Sequence, residues 1–141
     1  MRVLVVVLLA LVLAPATMAE RSAAPTLKAG SSSYGKVLFD GRGFVLYAFT
    51  RDHGRSACYG ACAKAWPPYF APKGSPTVGA GVKKALLGTV RRTNGRRQIT
   101  YAGKPLYYYV GDTRPRQILC QDVVEYGGRW LIVRPSGKLV R

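Results

Sequence analysis

One heptapeptide occurs twice. Leu46-Tyr47-Ala48-Phe49-Thr50-Arg51-Asp52 returns sixty residues on as Leu106-Tyr107-Tyr108-Tyr109-Val110-Gly111-Asp112, and Gly43 matches Gly103 at the same spacing. Two copies at that separation specify two examples of one supersecondary unit, because a solenoid needs several stacked repeats to bury its faces. On a strand, Tyr47 and Phe49 project to one side, as do Tyr107 and Tyr109, and Asp52 and Asp112 fall where the strand gives way to a turn. There a short carboxylate accepts backbone N–H groups two or three residues on. Core aromatics with turn-holding aspartates are one reading. A ring surface for sugars or another flat ligand, anchored by the two aspartates, is the other.

The chain opens with Met1-Arg2, an apolar run from Val3 to Ala14, the helix breaker Pro15 and then Thr17-Met18-Ala19, whose small residues suit signal-peptidase cleavage. Residues 1–19 read as a cleaved signal, since the run is short of the about 20 residues a membrane span needs. No transmembrane segment is expected after cleavage. Residues 20–33, rich in Ala, Pro, Gly and Ser, read as a flexible leader. Residues 34–141 then form a single repeat-containing domain, large enough for one core and not two.

The expected fold is mainly β, a small antiparallel domain of two related Tyr-motif hairpins plus a C-terminal hairpin, with one or two short helices. Runs at 36–39 and 44–49 flank Asp40-Gly41-Arg42-Gly43. Runs at 89–93 and 96–101 flank Asn94-Gly95, the strongest two-residue hairpin signal. Runs at 123–126 and 129–133 flank Gly127-Gly128, and a last turn at Pro135-Ser136-Gly137 leads to Leu139-Val140. A helix capped by Ser56 would end before Trp66-Pro67-Pro68, and another over 82–87 would close at Gly88.

Charge says more about partners than about a reaction. There are 22 Lys and Arg against 6 Asp and Glu, a formal charge of +16, of which removing the signal takes only Arg2. In an exported chain such a field favours an anionic cell-envelope polymer or membrane surface rather than specific nucleic acid. Arg91, Arg92, Arg96 and Arg97 crowd the Asn94-Gly95 hairpin, where a two-residue turn would set Arg92 across from Arg97. Like charges opposed across strands are unfavourable. An anion gripped by the guanidinium forks would explain them, as would a solvated tip that prevents edge-to-edge pairing.

Cys58 and Cys62 stand four residues apart, close enough to bond or to share a metal. An exported protein favours a structural disulfide. The alternative is thiol redox or copper handling by the two thiols, with His53, the one histidine, as a third ligand. Cys120 leaves the count odd and is expected free and partly buried. No catalytic residues are assigned: one histidine and few carboxylates give no acid–base pair, and no Gly-x-Ser-x-Gly or phosphate-cradling loop occurs. No cofactor is expected, copper being the alternative.

Tyr34-Gly35-Lys36-Val37-Leu38, the two Tyr motifs, Cys58-x-Gly60-x-Cys62-Ala63-x-Ala65-Trp66-Pro67-Pro68, Leu87-Gly88-Thr89 and Tyr101-x-Gly103-x-Pro105-Leu106-Tyr107 together resemble the bacterial "secreted repeat of unknown function" family. Its members are also described as predicted lipoproteins with a Tyr-x-(Phe/Trp/Tyr)-x-x-Asp motif. The resemblance implies an exported bacterial protein with no established activity, located in the periplasm, the cell envelope or outside the cell. This chain departs from the pattern in three places. It lacks the lipid-attachment cysteine, it has Lys104 where histidine is common, and Cys120 lies in a stretch that usually contains glycine.

Overall fold

The computed structural model describes residues 26–141, so the expected signal and the start of the expected leader lie outside the described residues. The domain is mainly β, in three small antiparallel sheets. Strands β1 (Leu27–Ser32) and β2 (Gly35–Asp40) form one hairpin, and β4 (Leu87–Arg91) and β5 (Arg97–Tyr101) form its counterpart, extended by β6 (Lys104–Pro105). The third sheet runs β3 (Tyr47–Phe49), β8 (Gly128–Ile132), β7 (Val123–Glu125). β1 corrects the expected leader over 20–33. Leu27, beyond the reach of the composition argument, is fully buried and ties the strand down.

The two copies meet back to back. Tyr47 and Tyr107 exchange both backbone hydrogen bonds, each N–H reaching the other's carbonyl at 2.9 Å, so an approximate two-fold axis passes between them. Each copy then completes the other. The segment after the second motif pairs with the first, Ile132 opposite Tyr47, while the segment after the first pairs with the second, Pro68 opposite Tyr107. The outcome is a four-segment antiparallel ribbon ordered 66–69, 106–110, 46–49, 130–133.

Both faces of that ribbon are covered. Tyr47, Phe49 and Tyr107 sit in one apolar cluster with Trp66 and Trp130, and Leu46, Ala48 and Leu106 sit in a second with Leu38, Ile99 and Tyr101. This is why the motif reads as a continuous apolar run instead of alternating with polar residues. On the axis Trp66 and Trp130 stack with centroids 4.0 Å apart and planes 5° from parallel. Tyr47 meets Trp66 edge-on at 5.2 Å and Tyr107 meets Trp130 edge-on at the same distance. The tryptophans contribute about 0.5–1.5 kcal/mol per aromatic pair beyond their buried area.

Several local expectations are corrected. Asp40 to Phe49 does turn back on β2, with Leu46 N–H reaching Leu38 carbonyl at 3.2 Å, but the main partners are β1 for β2 and β8 for β3. The helix expected from Ser56 is confined to α1 (Ala61–Ala65), because Gly60 holds φ 57 and breaks the path before it. Over 82–87 there is one 3-10 turn, Lys84–Leu86, and Gly88 lies in β4 rather than at a cap. The β4–β5 register pairs Arg91 with Arg97, one residue from the expected pairing, and Arg92 N–H reaches Arg96 carbonyl around a three-residue loop. The β7–β8 turn is Tyr126-Gly127, with φ of 54 and 76, instead of Gly127-Gly128. The last turn stands as expected, with Val133 bridged to Leu139.

Candidate functional site

The motif's hydroxyls and carboxylates bond across the axis. Tyr47 donates its hydroxyl proton to Asp112 Oδ2 at 2.6 Å, and Tyr107 donates to Asp52 Oδ2 at 2.8 Å. Each tyrosine thus serves the aspartate of the other copy. The other carboxylate oxygen holds a loop: Asp52 Oδ1 accepts Ala57 N–H at 2.7 Å and Asp112 Oδ1 accepts Leu119 N–H at 3.0 Å. These donors lie five and seven residues on, so each aspartate closes a wider loop than the two- or three-residue turn expected. Tyr47 and Tyr107 are fully buried, Phe49 nearly so and Tyr109 half-buried. The rings are therefore core and not an open platform.

Burial sets the titration of this network. It pushes both tyrosine hydroxyls far above the ordinary phenol range, and the bond to Asp112 adds to that for Tyr47. Burial also raises Asp52 and Asp112 above the usual carboxyl value of 3.8. Their bound donors pull the other way, Ala57 N–H before Tyr107 for Asp52 and Tyr47 before Leu119 N–H for Asp112. The phenols therefore remain donors across the physiological range.

In the first copy the bond extends outward. Ser56 Oγ lies 2.6 Å from the Tyr107 hydroxyl and accepts Arg92 Nη1 at 2.6 Å. The tyrosine proton faces Asp52, so the serine proton must face the tyrosine, and an unbroken donor chain runs Arg92, Ser56, Tyr107, Asp52. Arg92 also donates to Gln98 Oε1 at 2.8 Å and Cys58 carbonyl at 2.6 Å, and lies 4.2 Å over the Tyr59 ring. With 5% exposure it is an internal pin, which corrects its placement on a solvated tip.

The other arginines scatter. Arg91 is exposed and bonds Gly95 carbonyl at 3.0 Å, Arg96 lies 3.3 Å over the Phe70 ring, and Arg97 lines a different hollow with Lys84. The one-residue register difference puts Arg92 inside and Arg91 outside, since neighbours on a strand face opposite ways. Tyr108, expected to extend a surface, instead donates to Asp40 Oδ2 at 2.9 Å.

Cys58 and Cys62 form a disulfide, with Cα atoms 5.3 Å apart and both residues buried. Cys120 is free and half-buried. His53 is exposed, and among the described residues no three His, Cys, Asp or Glu side chains gather closely enough to share a metal. Sequence reasoning gave Ser56 only a helix cap, where it instead joins Arg92 to Tyr107, and it missed Gln98, for which no local signal exists. It also missed the Trp66–Trp130 stack, although each tryptophan follows a Tyr motif at a similar distance.

Comparison with known proteins agrees with this two-fold division. The model of the family described as "Secreted repeat of unknown function" matches residues 28–69 and again 88–134. The chain belongs to that family. The two matched stretches are the halves that the axis relates, each running from a hairpin through a Tyr motif to the tryptophan segment that completes the other copy. The secreted-repeat assignment agrees with export and names no activity. No curated protein and no solved structure matches the chain.

Proposed function

We propose that this exported module is non-catalytic and adheres to anionic polymer or an anionic membrane surface at the cell envelope. The observation that carries the reading is where the acids are. Asp40, Asp52, Asp112, Asp122 and Glu125, all the acids of the described residues, each accept a hydrogen bond from within the domain. Two of them pair with cations, Asp40 with Arg42 and Asp122 with Arg129. Among the described residues, and apart from the buried Arg92, most of the remaining Lys and Arg are exposed and none is ion-paired with a carboxylate. Such a surface concentrates polyanions without needing a reaction centre. The buried disulfide and exposed His53 give no support to thiol redox or copper handling.

The test is binding of the mature protein to an immobilised anionic polymer across ionic strength. Raising salt from about 0.01 M to about 1 M contracts the screening length from about 30 Å to about 3 Å, so affinity should fall steeply. Binding that is indifferent to salt rejects the reading.

A further inference from the structure

Beside the disulfide lies a groove of about 500 Å³ between the 55–59 loop and the β4–β5 hairpin, lined by Arg55, Ser56, Tyr59, Arg91, Arg92 and Thr93. Its lining holds three guanidinium groups and three hydroxyls, and no carboxylate. Arg92 is the fixed part. Its two Nη1 protons and one Nη2 proton go to Ser56, Gln98 and Cys58, so three of the five donors of a guanidinium are engaged and two are left. A buried arginine held by three acceptors loses little rotamer freedom on gripping an anion, which is the condition for a specific site rather than a diffuse field.

We infer that this groove is a binding site for a phosphate ester, with Arg92 as the fixed anchor, Arg55 and Arg91 closing from the rim, and Thr93 as a hydroxyl partner. The inference rests on the polyanion reading and gives it an address. A planar carboxylate is satisfied by one fork, whereas guanidinium groups arriving from a loop, a strand rim and the floor suit the oxygens of a tetrahedral anion. The groove volume exceeds a bare phosphate and leaves room for the ester substituent along the Tyr59 ring. The Cys58–Cys62 link holds one wall, since Arg92 grips the carbonyl of Cys58 itself.

The experiment titrates inorganic phosphate, glycerol 3-phosphate and acetate into the mature protein at constant ionic strength, following backbone amide resonances. Saturable shifts confined to Ser56, Tyr59, Arg92 and Thr93 with both phosphates, and absent with acetate, are expected. Arg55→Gln and Arg91→Gln should each weaken the phosphates about tenfold, the loss of one charge-assisted bond, while the exposed Lys138→Gln leaves them unchanged. Vesicles of phosphatidylglycerol, with phosphatidylcholine as control, separate the sources: pelleting that phosphate competes away assigns a lipid headgroup, and binding of soluble ester alone assigns a free or polymer phosphoester. Equal response to acetate, shifts spread over the whole surface, or full affinity in both arginine variants overturns the groove. If salt-sensitive polymer binding persists in those variants, the surface reading stands without it.

Discussion

Replacing Tyr47 by Phe removes one oxygen and leaves the ring packing intact, so it isolates the bond to Asp112. That carboxylate is 7% exposed and keeps Leu119 N–H as its other donor. A hydrogen bond to a charged group contributes about 1.5–3 kcal/mol, and the Phe variant escapes the desolvation of one hydroxyl, so the loss at neutral pH should be about 2 kcal/mol. For a domain of this size that lowers Tm by about 8 °C. The pH dependence carries the sharper test. Asp112 already titrates above 3.8 because it is desolvated, and the Tyr47 bond lowers it towards that value. A carboxyl raised on folding is unfavourable once ionised, so its stability contribution falls as pH climbs from the unfolded value through the folded one. Removing the phenol raises the folded value further and deepens that fall. Below the unfolded value the carboxyl is neutral in both states, and only an uncharged bond of about 1 kcal/mol is missing. Urea unfolding of wild type and variant at about pH 3 and about pH 7 measures both ends of the window. A difference under about 0.5 kcal/mol at neutral pH, or one that grows in acid, refutes the cross-copy bond as a stabilising contact.

Arg92→Met should destabilise by about 3 kcal/mol, because Gln98 Oε1, Ser56 Oγ and Cys58 carbonyl lose their donor together, whereas exposed Arg91→Met should stay within about 0.5 kcal/mol. Denaturant midpoints of the two variants compare them directly. Tyr126→Asn should stabilise by about 0.5–1 kcal/mol, since Tyr126 holds φ 54 in a two-residue hairpin turn that favours Asn-Gly, and thermal unfolding would show the gain. The double variant Cys58→Ser with Cys62→Ser should lose about 2 kcal/mol, the loop entropy of so short a ring. It should also weaken Arg92's hold on Cys58 carbonyl, seen as a larger shift of the Arg92 amide resonance than of the Arg97 one.

How much of this was legible depended on whether the signal was local. The repeat follows from matching two short stretches, while the antiparallel class, the Asn94-Gly95 hairpin and the disulfide follow from residues near one another in sequence, and each is present. The register of β4 against β5 was not, because Asn94-Gly95 permits two- and three-residue loops. What decides between them is Arg92 reaching Ser56 and Cys58, more than thirty residues away. Likewise Ala-, Gly- and Ser-rich composition argued for a leader over 20–33, while the burial of Leu27 and its bonds to Thr77 and Gly79 hold β1 in place. The swapped Tyr-to-Asp bonds could not be read from either motif alone, since within one copy the turn-holding aspartate was the sufficient explanation.

The repeat also shows where the halves have diverged. Ala57 and Leu119 hold equivalent places against Asp52 and Asp112, so the next residues, Cys58 and Cys120, correspond, and Ser56 corresponds to Ile118. The second copy keeps one thiol without a partner and has no hydroxyl to extend the Tyr47–Asp112 bond outward. The first adds the disulfide and the serine, the second sends the buried Arg92 across to them, and the carboxylate-free groove opens beside all three. Stability alone would treat the halves alike, because the axis gives each the same aromatic stack and the same cross-copy bond. The polar additions cluster on one side, where Arg92 connects the groove to Asp52 through two hydroxyls. A folding scaffold that is two-fold and a polar site that is not belong to different demands, and the site sits where the symmetry is broken.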